Sequence, residues 1–301
     1  MVEPALADLV AGIGSVLLGK RDQVERALCC LLAGGHLLIE DRPGMGKSTL
    51  AEALARSTDL DFKRVSFTSD LLPADLTGIN VFEPQTAQFR FEPGPLFSQV
   101  LLADEINRAS PRTQSALLEA MAVGRVSVDG TSHRLPQPFF VIATQNSLDQ
   151  VGTSPLPEAQ LDRFLMRISL GFPSREAERA LLLGNGGDLS TLKPLLDPDR
   201  LREWQRRAAN QHCSEALLGY VLDLVAASRR GAQQGLSPRA SLGLLAAARA
   251  WSLLQGRDHV RVDDVQAVLP AIAEHRLDAG VPSGVDQPLS QALLRCVDAL
   301  R

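Results

Sequence analysis

The sequence predicts an α/β protein in its first part, followed by a segment made only of helices. Short apolar runs alternate with helical spacing up to residue 173, which is typical of a parallel sheet covered by helices on both faces. Polar residues repeatedly follow these runs, at the strand ends where open α/β sheets bind ligands. From residue 174 onward the helical spacing continues without a strand pattern. We therefore expect a domain boundary between residues 173 and 174.

A glycine-containing turn at residues 41–48 is the strongest local signal. It follows the apolar run 36–40 and precedes a segment whose leucines share one helical face. Strand, glycine turn and helix form a phosphate cradle in this order, because the glycines turn N–H groups toward an anion and the helix N-terminus adds partial positive charge. Lys47 can then reach the β- and γ-phosphates, while the Ser48 hydroxyl takes a place on Mg²⁺.

The turn departs from the general pattern G-x-x-x-x-G-K-[ST] at its first position, where Asp41 stands in place of glycine. The later glycines, the lysine and the serine all match, and the strand and helix flank them as the pattern requires. An ordinary glycine turn is the alternative interpretation, which this context disfavours.

Two adjacent carboxylates, Asp104 and Glu105, end the apolar run 100–105. An aspartate there can hold the Mg²⁺ that bridges the phosphates, and the glutamate can orient or deprotonate an attacking water. Burying charge without a partner is costly, which argues against an incidental placement. The alternative is a solvated strand end.

Three more polar residues are candidates for the same chemistry. Asn146, at the end of another strand, could donate to the γ-phosphate or to water; the alternative is an asparagine that simply starts a turn. Arg163 could complete a neighbouring subunit's site as an arginine finger, or form a local ion pair with Asp162 or Glu158. Arg239, at a helix start, could reach the γ-phosphate from the helical domain, or be solvated.

The remaining elements follow from periodicity and turn signals. Strands are expected at 62–67, 139–146 and 167–170, a hairpin within 79–91, and a second hairpin around the Asp129-Gly130 turn. Helical spacing predicts helices at 22–35, 157–166, 174–183, 198–211, 214–230, 238–255, 263–275 and 287–301.

Composition limits the class of protein. The chain has 301 residues, 45% of them hydrophobic, so it can bury a sizeable core. Its four cysteines lack disulfide or zinc-site spacing, no apolar run reaches a membrane-spanning length, and a leader pattern is missing, so we expect a soluble protein of the cytoplasm. The net charge of −4 argues against a nucleic-acid surface.

Taken together, the motifs resemble those of the MoxR-type AAA+ ATPases, in the same order and over nearly all of residues 10–300. They are E-D-R-P-G-M-G-K-S at 40–48, L-L-P-A-D-L-T-G at 71–78, D-E-I-N-R-A at 104–109, A-T-Q-N at 143–146, L-P-E-A-Q-L-D-R-F at 156–164 and S-P-R-A at 237–240. Aspartate at position 41 is itself common in that family.

The resemblance implies a P-loop NTPase fold of the AAA+ type. Its α/β domain, residues 1–173, has a five-stranded parallel sheet in the order 5-1-4-3-2, and an all-α lid domain follows at 174–301. A helix-2 insert is implied at 78–92 and a pre-sensor hairpin at 125–135.

The resemblance also implies roles for the candidate residues, with ATP and Mg²⁺ as ligands. The implied nucleotide-binding residues are Pro43, Gly44, Met45, Gly46, Lys47, Ser48 and Thr49, and the implied metal ligands are Ser48 and Asp104. Glu105 is implied as the catalytic carboxylate, Asn146 as sensor 1, Arg163 as the arginine finger and Arg239 as sensor 2.

For the whole protein, the resemblance implies a homo-oligomer, usually a hexameric ring, that remodels or activates protein clients together with a von Willebrand factor A partner. The chain contains no D-x-S-x-S motif, so such a partner is expected on a separate polypeptide. The alternatives are the motor subunit of a metal-chelatase-like complex, a nucleic-acid-acting AAA+ motor, and a nucleotide-gated scaffold with little turnover.

Overall fold

The computed structural model describes residues 4–146, 153–230, 235–277 and 288–298. The strands are β1 (Leu37–Glu40), β2 (Phe62–Ser66), β3 (Gly78–Glu83), β4 (Gln88–Pro93), β5 (Val100–Asp104), β6 (Arg125–Val128), β7 (Thr131–Arg134), β8 (Phe140–Gln145) and β9 (Met166–Ile168). The helices are α1 (Pro4–Val16), α2 (Arg21–Leu32), α3 (Lys47–Ser57), α4 (Pro73–Thr77), α5 (Pro111–Val123), α6 (Glu158–Leu161), α7 (Arg175–Leu182), α8 (Pro198–Ala209), α9 (Glu215–Ser228), α10 (Pro238–Leu254), α11 (Val262–Leu277) and α12 (Leu289–Cys296).

Five strands form one parallel sheet in the order β2-β5-β8-β1-β9. Numbered by their place among these five strands, they read 2-3-4-1-5, so the predicted order 5-1-4-3-2 is confirmed from the opposite edge. Successive side chains point to opposite faces of a strand, so each face of the sheet packs into a hydrophobic core of its own. Leu37 and Ile39 belong to one hydrophobic core, with α1, α2 and α3, while Leu38 belongs to a second core with α5.

Two antiparallel hairpins lie outside this sheet, β3–β4 and β6–β7. They contact each other near their bases, where the Phe91 ring stacks on His133 with centroids 3.9 Å apart. The amide of Asn80 donates to the Asp129 carboxylate at 2.8 Å. Farther along β3–β4, Phe82 and Phe89 pair edge to face and stay exposed. The two hairpins thus form one projecting unit with an apolar tip.

Four helices of the C-terminal segment, α7 to α10, begin in a common way. A serine or aspartate side chain precedes the first turn and accepts a hydrogen bond from a backbone N–H that has no partner within the helix. This arrangement is present at Ser174, Asp197, Ser214 and Ser237. Proline follows directly at the first helical position of α8 and α10, where its fixed φ suits the helix and its missing N–H costs nothing.

The C-terminal helices pack against α2 and against β9 at the sheet edge. Trp204 of α8 is fully buried in the core that α2 also lines. Arg26 of α2 donates to the Ala267 carbonyl at 2.8 Å, and Gln205 of α8 donates to the Leu31 carbonyl at 2.8 Å. These contacts place α10 and α11 beside α2, at the side of the sheet where β9 lies.

Some elements differ from the sequence prediction. The helix expected at 157–166 is only the short α6, because the Leu165 N–H donates to the His36 carbonyl at 2.8 Å and the chain enters β9. The helix α1 was not predicted. Part of the predicted segment 287–301 lies outside the described residues, and α12 covers residues 289–296 of it. The domain boundary expected at 173/174 falls between β9 and α7 and stays a prediction. Within the described ranges, no helix has the length and apolarity needed to span a membrane.

Asp162 links the end of α6 to two C-terminal helices, and we expect its removal to destabilise the fold. It accepts from Arg276 at 2.7 Å and from the Ser237 hydroxyl at 3.0 Å, and the Arg276 side chain is only 6% exposed. Asp162→Ala leaves a buried guanidinium without its counter-charge, a loss that typically costs about 3–5 kcal/mol. Urea unfolding, followed by circular dichroism, measures this loss in the free energy of unfolding.

The matched control is Asp199→Ala, because Asp199 pairs with Arg202 in an exposed position. We expect that variant to lose less than about 1 kcal/mol. Equal destabilisation by the two variants would show that the Asp162 pair does not hold the segments together.

Candidate active site

The turn between β1 and α3 has the backbone of a phosphate loop. Gly44 has φ +81° and Gly46 has φ +92°, a left-handed conformation that residues with side chains rarely adopt. A side chain at position 46 would also meet Leu17, since its Cβ would lie 2.9 Å from Leu17 Cδ1. Gly46 is followed at once by the first turn of α3, so the N–H groups of that turn face the loop. This end of α3 therefore suits a bound anion.

Lys47 lies where the loop meets the sheet. Its Nζ donates to the Asp41 carbonyl at 2.6 Å, to the Arg42 carbonyl at 3.3 Å and to the Gln145 carbonyl at 3.4 Å. Burial lowers the pKa of Lys47, while the negative charges of Asp41, Asp104 and Glu105 act in the opposite direction. The ammonium group thus sits among carbonyls and carboxylates at the carboxyl edge of β1 and β8.

Asp104 and Glu105 lie at the same edge, at the end of β5. One Asp104 oxygen accepts from the Thr144 hydroxyl at 2.7 Å, and the other accepts from Arg64 of β2 at 2.5 Å. Glu105 has φ +56°, which is uncommon for a residue with a side chain, and its carboxylate pairs with Arg108 at 3.0 Å. Such a conformation persists where the surroundings hold it, and residues of this kind cluster at active sites and switch regions.

Thr144 joins these groups, although the sequence analysis gave it no role. Its hydroxyl donates to Asp104 and accepts from the Glu105 N–H at 2.9 Å, and the residue is fully buried. The sequence feature that could have identified Thr144 is a hydroxyl at the end of an apolar strand, because a buried hydroxyl requires hydrogen-bond partners. Arg64 and Arg108 were also missed, because their partners are set by strand order and by a short turn.

Asn146 and Ser48 occupy the expected side of the sheet. Asn146 follows β8 directly and is 9% exposed, next to Gln145, whose carbonyl accepts from Lys47. Ser48 lies in the first turn of α3, immediately after Lys47. The structure thus brings the phosphate loop, the two carboxylates and Asn146 to one edge.

Arg163 and Arg239 lie together elsewhere. Both line a cleft of about 330 Å³ beside Gly35 and His36, which precede β1, and Arg163 donates to the Leu118 carbonyl at 2.6 Å. The cleft is therefore at the amino edge of the sheet, opposite Lys47. Of the two local partners considered for Arg163, Asp162 and Glu158, Asp162 pairs with Arg276 instead.

Comparison with known proteins agrees with this arrangement. Residues 36–166 match the ATPase family associated with various cellular activities (AAA), and residues 225–294 match the AAA lid domain. The Bacillus subtilis protein YeaC is 44% identical over 280 residues, spanning 92% of this chain and 88% of its own length. Chaperone MoxR1 of Mycobacterium tuberculosis is 42% identical, spanning 87% and 72% respectively.

A solved structure has the same fold. It is that of a protein from Cytophaga hutchinsonii, described as a candidate ATPase, with a TM-score of 0.87 and 33% identity over 98% of this chain and 94% of that one. The phosphate loop, the sheet order and these relatives lead to one assignment: the chain belongs to the MoxR-type AAA+ ATPases.

Proposed function

We propose that the chain hydrolyses ATP at sites completed between neighbouring copies in a homo-oligomeric ring. The observation that carries this proposal is the placement of Arg163 and Arg239, which share a cleft at the edge of the sheet opposite Lys47. The four residues of β1 separate the two edges by roughly 13 Å, at about 3.3 Å per residue. An arginine side chain does not bridge that distance, so both arginines would serve the phosphate loop of another copy.

In this proposal the loop binds the triphosphate through α3 and Lys47. The N–H groups of the first turn of α3 face the phosphates, and Lys47 moves its donors from the Asp41 and Gln145 carbonyls to the β- and γ-phosphates. The partial burial of Lys47 strengthens that charge interaction, because less water screens it.

The residues at this edge also fit Mg²⁺. Ser48 and Asp104 offer a hydroxyl and a carboxylate, the hard oxygen ligands that Mg²⁺ prefers, and Mg²⁺ commonly takes only one or two carboxylates alongside substrate phosphates. No group of three or more His, Cys, Asp or Glu residues suited to a metal occurs in the described part of the chain. When bound, the ion neutralises charge on the phosphates.

Glu105 would orient and deprotonate the attacking water. Its carboxylate must leave Arg108 to do so, which is a small cost because this pair is well exposed. Thr144 fixes both the Asp104 carboxylate and the Glu105 backbone, so the metal ligand and the base keep their separation. Asn146, which follows β8 at the same edge of the sheet, would bind the water or the γ-phosphate. Arg163 of the next copy would stabilise the charge that develops in the transition state.

The proposal also includes assembly into a ring that acts on a protein client. A cleft at one edge and a phosphate loop at the other make a head-to-tail interface, which closes into a ring when the rotation between copies is right. We take that ring to be a hexamer in the cytoplasm, acting as a chaperone with a separate von Willebrand factor A partner. The relative named Chaperone MoxR1 supports the chaperone activity.

Mixing two inactive variants tests the shared site. Arg163→Ala keeps its own Glu105, and Glu105→Gln keeps its own Arg163. Each variant alone is expected to lose nearly all ATP hydrolysis while still binding nucleotide. Random mixing in equal amounts restores about a quarter of the interfaces, because each active site needs one intact residue from each neighbour. A phosphate-release assay on the mixture measures the recovered rate.

The wild-type rate per subunit should also rise with protein concentration. The matched control is Arg206→Ala, an exposed arginine of α8 outside the cleft, which should behave as wild type. No recovery on mixing, together with a rate independent of concentration, would rule out the shared site.

Thr144→Val tests the link between Asp104 and Glu105. Valine keeps the shape but removes two buried hydrogen bonds, each worth about 1–3 kcal/mol where a charged or buried group loses its partner. We expect turnover at saturating Mg²⁺ and ATP to fall about tenfold or more, with nucleotide affinity within about threefold because Lys47 is untouched. Thr144→Ser, which keeps the hydroxyl, should retain most activity, and full activity in the valine variant would contradict this role.

A further inference from the structure

Residues 169–172, here called the junction segment, join β9 to α7 and so connect the sheet to the helices that follow. Two charged side chains hold this segment. The Asp41 carboxylate accepts from the Gly171 N–H at 2.6 Å. From the other side, the Lys20 ammonium donates to the carbonyls of residues 170, 171 and 172 at 2.7, 2.9 and 2.6 Å.

Both charged side chains are buried, since Asp41 is 8% exposed and Lys20 is 6% exposed. Buried charges are costly unless their hydrogen-bonding capacity is satisfied. The Asp41 carboxylate also accepts from the Arg42 N–H at 2.8 Å and the Ser169 hydroxyl at 3.0 Å, and the three N–H donors of Lys20 each have a carbonyl. Burial raises the pKa of Asp41, but these hydrogen bonds lower it by more, so the carboxyl group ionises more readily than usual.

Asp41 is also the first residue of the phosphate loop. Its backbone N–H donates to the Gln145 carbonyl at 3.2 Å, and its own carbonyl accepts from Lys47 at 2.6 Å. One residue therefore contacts Lys47 through its main chain and the junction segment through its side chain. A second contact runs parallel to it, since the Arg42 guanidinium lies 5.7 Å from the Phe172 ring centroid.

This arrangement accounts for the departure of the loop from the general pattern. Glycine at position 41 would make the same turn but none of the side-chain bonds to residues 169 and 171. We propose that Asp41 is a positioning residue that couples the state of the phosphate loop to the junction segment, and through it to α7, which follows in the chain. The inference rests on the proposed function, because nucleotide is what changes the contact between Lys47 and Asp41.

Asp41→Gly in the full-length chain separates the two roles of the residue. The variant restores the glycine of the general pattern, so ADP with Mg²⁺ should still bind within about threefold of the wild-type affinity. Turnover of ATP should fall about tenfold, the effect of losing a hydrogen bond to a charged group. A change in kcat without a matching change in KM is therefore expected.

Amide hydrogen exchange distinguishes coupling from a purely structural role of Asp41. A structural role alone would not change where nucleotide slows exchange. In the wild type, ADP with Mg²⁺ should slow amide exchange both in the phosphate loop, 41–50, and in the junction segment with α7, 169–182. In Asp41→Gly it should slow exchange in the loop alone. Glu52→Gln is the matched control and should keep both effects, because Glu52 is a partly buried carboxylate of α3 that pairs with Arg56 and contacts neither the loop nor the junction segment in any hydrogen bond or ion pair of the described residues.

The possible results are separable. Slowing in both regions of Asp41→Gly overturns the coupling and leaves the proposed ATPase intact. Wild-type protein in which ADP slows exchange nowhere overturns both proposals. Asp41→Asn covers the case in which glycine at 41 prevents folding: its amide keeps one acceptor oxygen in the same place, so the slowing at 169–172 should be reduced and slowing at 41–50 unchanged. Undiminished slowing at 169–172 in that variant overturns the coupling.

Discussion

The parallel register of β5, β8 and β1 is the constraint on which the rest of the site depends. Leu102 lies beside Ile142, and Ile142 beside Leu37, so the three strands end on nearly the same line. Asp104, Thr144 and the phosphate loop follow from that alignment. A slip of one residue in any strand would exchange its two faces, moving core side chains such as Leu38 to the wrong layer. Burial on both faces therefore fixes the register, and the register fixes the hydrogen bonds between Thr144 and the two carboxylates.

Sequence reasoning worked where one stretch of chain holds the whole signal. The glycine turn before Lys47 and the carboxylates after an apolar run are local patterns, and the strand order came from the family resemblance and is confirmed. It failed where the partner is distant in the chain. Thr144 and Arg64 meet Asp104 only because strands pair in that order, and the end of α6 is decided by a hydrogen bond to His36. The roles given to the site residues remain predictions.

The placement of the C-terminal helices is a further property that no local pattern contains. Periodicity predicts that α10 exists, and Ser237 with Pro238 predicts where it begins. Its position, however, follows from how α8 and α10 pack on α2 and how α11 packs on α10. Arg239 is thereby carried to the same cleft as Arg163. The packing of the helices, rather than the motif that contains Arg239, therefore decides which copy's nucleotide Arg239 could reach.

The two hairpins have an evolutionary consequence. Isolated two-stranded hairpins are marginally stable in water, and here the contact between Phe91 and His133 supports one with the other. At the base, a Cβ on Gly78 would come within 2.3 Å of the Glu92 carbonyl oxygen, so that residue is not free to vary. The exposed tip around Phe82 and Phe89 contributes to neither core of the sheet. Its side chains can therefore change at little cost in stability, so proteins that share this fold can acquire different recognition surfaces at the tip of one hairpin.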